Sequence, residues 1–347
     1  MLELFRRKSF TPTTLFVDGI SKSGKAAVAM AVSSLNRVEH IKNEYHIDRI
    51  VNNYSQGWLN RDAAIEDLIT VTDFGLFNSF MGRDLNTNQN DWSSVVNSKN
   101  PELYYQRMTT KDTPENASKI FKQIESEKPI SAQIAEELIL HKDIFEEAFP
   151  NNMRTLVVMR HPIELIFNWE ETGRGTRYGK EKRLIHPTLN FEDQPIPLEA
   201  AEWPSLYLSS KSIDRVFLVL ESLIKRYLKE IENIKNKTKF YLVIPFEDFT
   251  TNTSSYLKKL ESFLDASPTE MTSFMCERQR LPRNLDFKQI ARKSKFIENN
   301  LSNIYLERFE RLCVDYEMTT TNIIELNELR SLYSKVESIN GSINRYE

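Results

Sequence analysis

The sequence predicts an α/β fold: a P-loop-type, three-layer α/β/α domain with a mostly parallel central sheet and helical or irregular insertions. Three observations predict it. Short apolar, β-rich runs alternate with longer stretches of helical period, the pattern of strands joined by crossover helices. The first run leads into a loop containing glycine and lysine, and then into a helix. With 347 residues and 40% hydrophobic content, the chain can bury a full core and still carry insertions.

In chain order, "TLFVD" (14–18) reads as the first strand, and "GKAAVAMAVSSL" (24–35) as a helix whose small residues allow close approach to a sheet. "RVEHI" (37–41) reads as a second strand. From Asn52 to about Pro129 the chain is polar and aromatic without strand rhythm, and is expected to be a cap-like, partly helical insertion (about 52–129). "PISAQIA" and "TLVVM" read as buried strands around "ELILHKDIFEEAF", whose apolar residues have helical spacing. A proline-rich stretch (about 173–205) is expected to be an irregular, lid-like insertion. Ile213, Val216, Phe217, Leu220, Leu223, Ile224, Tyr227 and Ile231 share one helical face, and "KFYLVIPFEDF" supplies a further strand. The expectation is one domain over 1–347.

Composition limits the function classes. The net charge of −3 gives no global pull toward nucleic acid or an anionic membrane, so any anion must be held by local clusters. Cys276 and Cys313 are the two cysteines, with neither metal-site nor disulfide-framework spacing. No run reaches the roughly 18 apolar residues of a membrane span, and the first residues lack a secretory core. The expectation is a soluble, cytoplasmic chain; oligomeric state is not legible.

The loop between the first strand and helix carries the first chemistry. Gly19, Gly24 and Lys25 fit G-x-x-x-x-G-K, with Lys22 and Ser23 inside the loop, but Ala26 stands where Ser or Thr is usual. In nucleotide phosphotransferases that hydroxyl ligates Mg²⁺, so its absence points to a phosphate ligand carried without the metal. Backbone N–H groups, the helix N-terminus, Lys22 and Lys25 suit an anion. An ordinary glycine turn is the plain alternative. The second chemistry lies in "TLVVMRHPIELIFNW": Arg160 stands at a strand's C-terminal end, where open α/β sheets bind ligands, and Asn168 follows about two helical turns later. A salt-bridged arginine and an exposed asparagine are the alternative there.

These motifs resemble the sulfotransferase family. Lys22, Ser23 and Gly24 match its K-S-G loop, and Arg160 with Asn168 matches its strand-Arg and a polar residue eight positions on, with Asn in place of the usual Ser. "LVIPFEDFTTNTSSYLKKLESFLDA" is similar to the family's strand, Glu-Asp and helix segment. The resemblance implies that the donor is 3′-phosphoadenosine 5′-phosphosulfate (PAPS), that no metal is required, and that the K-S-G loop meets the phosphosulfate while Arg160 and Asn168 hold the 3′-phosphate. It implies a nucleotide donor and a hydroxyl-bearing acceptor such as a carbohydrate or small metabolite as partners. Ala26 is then no defect.

Transfer to a hydroxyl needs a base. "VEHIKNEYHID" offers Glu39, His40, Glu44, His46 and Asp48, and "NEYH" is similar to the segment in which glycan sulfotransferases carry their glutamate base. That makes Glu44 the expected base, with His46 next and Lys22 stabilising the leaving phosphate. Geometrically, Glu44 and Lys22 are expected to share a cavity with Arg160. "GRGTRYGKEKR", with Arg174, Arg177, Lys180, Lys182 and Arg183, is a candidate closing segment or a solvated loop. "ARKSKF", with Arg292, Lys293 and Lys295, is the candidate for the late basic loop that the resemblance implies over the 3′-phosphate. Trp58, Trp92 and Trp203 suit either a sugar or the core. Two other classes stay open: a P-loop kinase with Asp248 near its metal, and a silent nucleotide-binding protein in which Glu44 faces away from the loop.

Overall fold

The computed structural model describes residues 4–182 and 186–321. Its elements are β1 (Thr13–Asp18), α1 (Lys25–Ser33), β2 (Lys42–Asn43), α2 (Tyr45–Ser55), α3 (Arg61–Phe80), α4 (Pro101–Arg107), α5 (Pro114–Glu127), β3 (Ile130–Ile134), α6 (Lys142–Ala148), β4 (Met153–Met159) and α7 (Pro162–Glu171). There follow β5 (Thr188–Phe191), β6 (Gln194–Pro197), α8 (Pro204–Ser209), α9 (Ser212–Ile234), β7 (Tyr241–Pro245), α10 (Phe246–Thr251), α11 (Thr253–Leu264), α12 (Glu270–Arg278), α13 (Phe287–Asn300) and α14 (Asn303–Thr321).

Five strands form a parallel sheet in the order β2-β3-β1-β4-β7. β1 lies in the middle, and the chain winds first to one side of it and then to the other. That reversal is where parallel sheets open a crevice at their strand ends. Side-chain alternation along β1 feeds two cores: Leu15 and Val17 pack with Val28 and Val32 of α1, whereas Phe16 packs with Phe145 and Phe149 on the opposite face. The sheet is therefore covered by helices on both faces.

The second strand differs from expectation. Residues 37–41 make only an isolated bridge, Val38 to Ile130, and the ladder residues are Lys42 and Asn43. Val38 and Ile41 are buried, so the apolar pattern marked burial, not pairing. The stretch 52–129 holds the end of α2 and helices α3 to α5; Ala64, Ile65, Leu68 and Ile69 of α3 enter the core beneath the sheet. The stretch 173–205 contains a two-stranded antiparallel hairpin, β5–β6, with Ile196 buried. "ARKSKF" is helical, within α13, and is not a loop.

Two glycines shape the turn after β1. A Cβ at Gly19 would lie 2.4 Å from the Val158 carbonyl oxygen, and one at Gly24 (φ 98°) would lie 2.3 Å from the Phe246 ring. Gly173 (φ 68°) has nothing within 4 Å. Its substitution by Ala therefore costs only the backbone term, about 1 kcal/mol, whereas Gly24→Ala adds a ring clash and is expected to cost about 3 kcal/mol. Urea unfolding of the two variants checks this; equal midpoints would mean that Phe246 yields freely.

Candidate active site

The loop from Gly19 to Gly24 divides its two lysines. Lys25 is buried, and its ammonium donates to the carbonyls of Gly19 (2.7 Å) and Ala135 (2.9 Å) and lies 3.3 Å from Glu136. It is an anchor between β1 and the end of β3. Lys22 has a left-handed backbone (φ 72°), which turns its side chain outward, and it is exposed with no ion-pair partner among the described residues. The first N–H groups of α1 open beside it, the usual orphan donors of a helix start. Ser23 Oγ is buried with no hydrogen-bond partner. The other side of the loop is held by Trp169, whose indole N–H donates to the Ser21 carbonyl (2.8 Å), and by Arg174, which donates to Ser21 Oγ and lies over the Trp169 ring. Arg174 thus ties the basic segment to the loop; Arg183 lies outside the described residues.

Arg160, just after β4, is brought to the same loop. One guanidinium N–H donates to the Lys22 carbonyl (3.0 Å), another to Glu164 (2.7 Å), and the group lies 5.2 Å from the centre of the Phe246 ring. Its Nε is buried and unpartnered. Glu164 also accepts from Lys293 at 2.9 Å, so Lys293 of α13 joins this cluster. Asn168 lies on the same face of α7, but its amide donates back to the Glu164 carbonyl at 2.5 Å. Arg292 is exposed. Ala26, on α1, presents no hydroxyl to the loop.

Glu44 caps α2 and accepts from the His46 ring at 2.6 Å; His46 is four-fifths exposed. Both line a cavity of about 690 Å³ beside α3, with Lys42, Phe74, Asp84 and Trp92. That cavity takes no residue from the phosphate loop and not Arg160. His40 lines it too, and burial lowers its pKa to about 4. Glu39 is buried in an ion pair with Arg107 at 2.6 Å. Asp248 is buried on α10, where it accepts from Tyr256 and Asn252, each at 2.7 Å. Trp58 is more than half exposed, whereas Trp92 and Trp203 pack against the cores.

A set of groups that the motifs did not single out stands nearer the loop. Glu136 and Glu137 follow β3, the neighbour of β1, so they sit at the same sheet edge as Gly19. Glu136 bridges Lys25 (3.3 Å) and His186 (3.0 Å), and its N–H donates to Asp48 (2.8 Å). Burial pushes Asp48 up to about 7, with the Glu136 charge adding to it. Burial also pushes Glu137 up to about 8, helped by Glu199. Burial opposes a charged His186, but the Glu136 carboxylate overcomes this and lifts it to about 9. Glu137 is held at φ 60°, a strained backbone for a residue with a side chain. The sequence signal was a pair of carboxylates directly after a buried apolar run.

Among the described residues no three His, Cys, Asp or Glu side chains gather as a metal cluster. No helix among them is long and apolar enough to cross a membrane. No protein-family model matches the sequence, and no curated protein does. The α/β fold, with its parallel sheet flanked by helices, is similar to solved sulfotransferases. One is the sulfotransferase domain from the curacin biosynthetic pathway, 13% identical, covering 77% of this chain and 77% of that chain, with a TM-score of 0.38. Another is sulfotransferase STF9 from Mycobacterium avium, 10% identical, covering 89% of this chain and 77% of that one, with a TM-score of 0.38.

Proposed function

We propose that the chain is a sulfotransferase that takes a sulfuryl group from PAPS and passes it to a hydroxyl acceptor. The supporting observation is the pairing of an unengaged Lys22 at the start of α1 with Arg160, anchored to the same loop through the Lys22 carbonyl and keeping a buried Nε unpaired. One cation on the loop and a second hydrogen-bonded to it suit a ligand with two separated phosphates. The acceptor oxygen forms the new S–O bond as the bond from sulfur to the 5′-phosphate oxygen breaks, in line. Lys22 and the α1 N–H groups receive the charge gathering on the leaving phosphate. Arg160 holds the 3′-phosphate, and Asn168 assists once its amide leaves the Glu164 carbonyl.

Two strand-end carboxylates compete for the acceptor proton. Glu44 is named by the NEYH motif; Glu137 follows the strand next to the loop. We assign the role to Glu137, because its neighbour Glu136 touches Lys25 while Glu44 lines a separate cavity. A phosphotransferase is the second reading, favoured by Glu136 standing beside Lys25 where it could order a Mg²⁺ shell.

Adenosine 3′,5′-bisphosphate is expected to bind at least about tenfold more tightly than AMP, since a charge-assisted contact at Arg160 is worth roughly 1.5–3 kcal/mol. Calorimetry with both nucleotides, and with ATP with and without Mg²⁺, checks it. Equal affinities remove the 3′-phosphate reading, and tight binding restricted to Mg·ATP favours the phosphotransferase.

Lys22→Ala is expected to lower kcat by about 10²–10³ with an unchanged unfolding curve, because the contact strengthens in the transition state. Lys25→Ala is expected instead to lose about 3 kcal/mol of stability, leaving Glu136 buried with one partner fewer. The opposite pattern would exchange the roles of the two lysines. Of the carboxylates, Glu137→Gln is expected to cost about 10²–10⁴ in kcat while keeping nucleotide affinity. The same loss in Glu44→Gln, with Glu137→Gln active, would return the base to Glu44.

A further inference from the structure

A second cavity, of about 350 Å³, opens beside this loop-proximal cluster. α2 contributes Asn52, α9 contributes Arg226, the turn after β3 contributes Glu137, and the segment around the β5–β6 hairpin contributes Tyr178, His186, Glu199 and Trp203. His186 connects it to the phosphate loop: its ring meets Glu136 at 3.0 Å, and Glu136 meets Lys25 at 3.3 Å. A molecule in this cavity therefore lies one carboxylate away from the anchor of the loop.

Two aromatic side chains, Tyr178 and Trp203, line the cavity together with two carboxylates, Glu137 and Glu199, whose side chains make no hydrogen bond or ion pair among the described residues. Carboxylates that face each other at a half-buried site repel, and an ammonium placed between them relieves the repulsion while ring faces supply a further attraction. Resting on the sulfotransferase reading, we infer that this cavity is the acceptor site and that it receives a hydroxyl compound bearing an ammonium group, held between Glu137 and Glu199. A neutral or anionic acceptor offers these carboxyl oxygens no such partner.

The site also couples recognition to chemistry. The groups facing Glu137 are Glu199 and Glu136, which favour its protonated form, and His186 and Arg226, which favour the ionised one. His141, with its pKa lowered to about 4 by burial, is neutral there. With its own pKa pushed up to about 8, Glu137 holds a proton at neutral pH in the empty site. An arriving ammonium lowers that pKa, so the proton is released and the carboxylate becomes able to take the acceptor's.

The test uses the full chain and two matched probe pairs: tyramine against N-acetyltyramine, and glucosamine against N-acetylglucosamine. Calorimetry, with and without adenosine 3′,5′-bisphosphate, is expected to show at least one amine binding about tenfold or more tightly than its acetylated partner. At about pH 7.5, heats in buffers of different ionisation enthalpy are expected to show net proton release. Glu199→Gln is expected to erase most of the preference while keeping the unfolding curve and the bisphosphate affinity. Equal binding of amine and amide, no binding of either amine, or a preference that survives Glu199→Gln overturns the inference. Amine preference in a protein that ignores adenosine 3′,5′-bisphosphate would keep the cavity's chemistry and sink the sulfotransferase reading. Bisphosphate binding without amine preference would do the reverse.

Discussion

The buried ammonium of Lys25 is the contact on which the rest of the site depends. Burying a lysine is costly unless each of its donors is used, and here two carbonyls and the Glu136 carboxylate use them. The carbonyls belong to Gly19, at the end of β1, and Ala135, at the end of β3. One side chain thus joins the two central strand ends and fixes the loop between them. With Lys25 committed inward, Lys22, exposed on a left-handed backbone, is the loop lysine that the proposed function gives to the ligand. The same carboxylate that neutralises Lys25 reaches His186, so two contacts link the loop to the second cavity.

What the sequence revealed follows from how local each feature is. The strand–loop–helix start is local: the glycine spacing, the apolar run and the small residues of α1 all lie within some twenty positions, and the structure has them as expected. The long amphipathic helix α9 was legible for the same reason. "RVEHI" was misleading because apolar residues in a buried connection look like a buried strand; only the pairing partner β3 distinguishes them, and β3 lies ninety residues on. "ARKSKF" was expected to be a loop through the family resemblance, yet Ile290, Ala291, Ser294 and Ile297 give its helix a buried side.

The site divides along the same line. Arg160 was legible because a strand end followed by His-Pro is a local signal, and its bond to the Lys22 carbonyl places it at the loop. Glu136 and Glu137 were not, since a glutamate after a strand carries no mark of its own. β3 lying against β1 is what brings Glu136 to Lys25 and leaves Glu137 at the same strand end. Glu44 shows the converse: its motif is visible in the chain, but its surroundings, α3 and the loop carrying Asp84 and Trp92, are set by packing far from the motif.

An anion-binding loop surrounded by carboxylates looks at first like a conflict, since Asp48, Glu136 and Glu137 would repel a phosphate. The surroundings of the three acids divide them: one is held ionised and two are pushed toward the protonated form. Glu136 is kept ionised, well below the usual range against the cost of its burial, by Lys25 and His186 on either side, so that trio carries net positive charge. Asp48 and Glu137, pushed up to about 7 and about 8 by burial, hold protons for much of the time near neutrality and so carry less negative charge. On the proposed reading the phosphates meet Lys22 and Arg160, the latter sharing Glu164 with Lys293, while the proposed acceptor side retains groups that titrate where a proton must be taken. A transferase needs that division, because the leaving group must be met by cations and the incoming hydroxyl by a base. On the proposed reading the two demands meet at Glu136, the carboxylate that Lys25 (3.3 Å) and His186 (3.0 Å) neutralise in place.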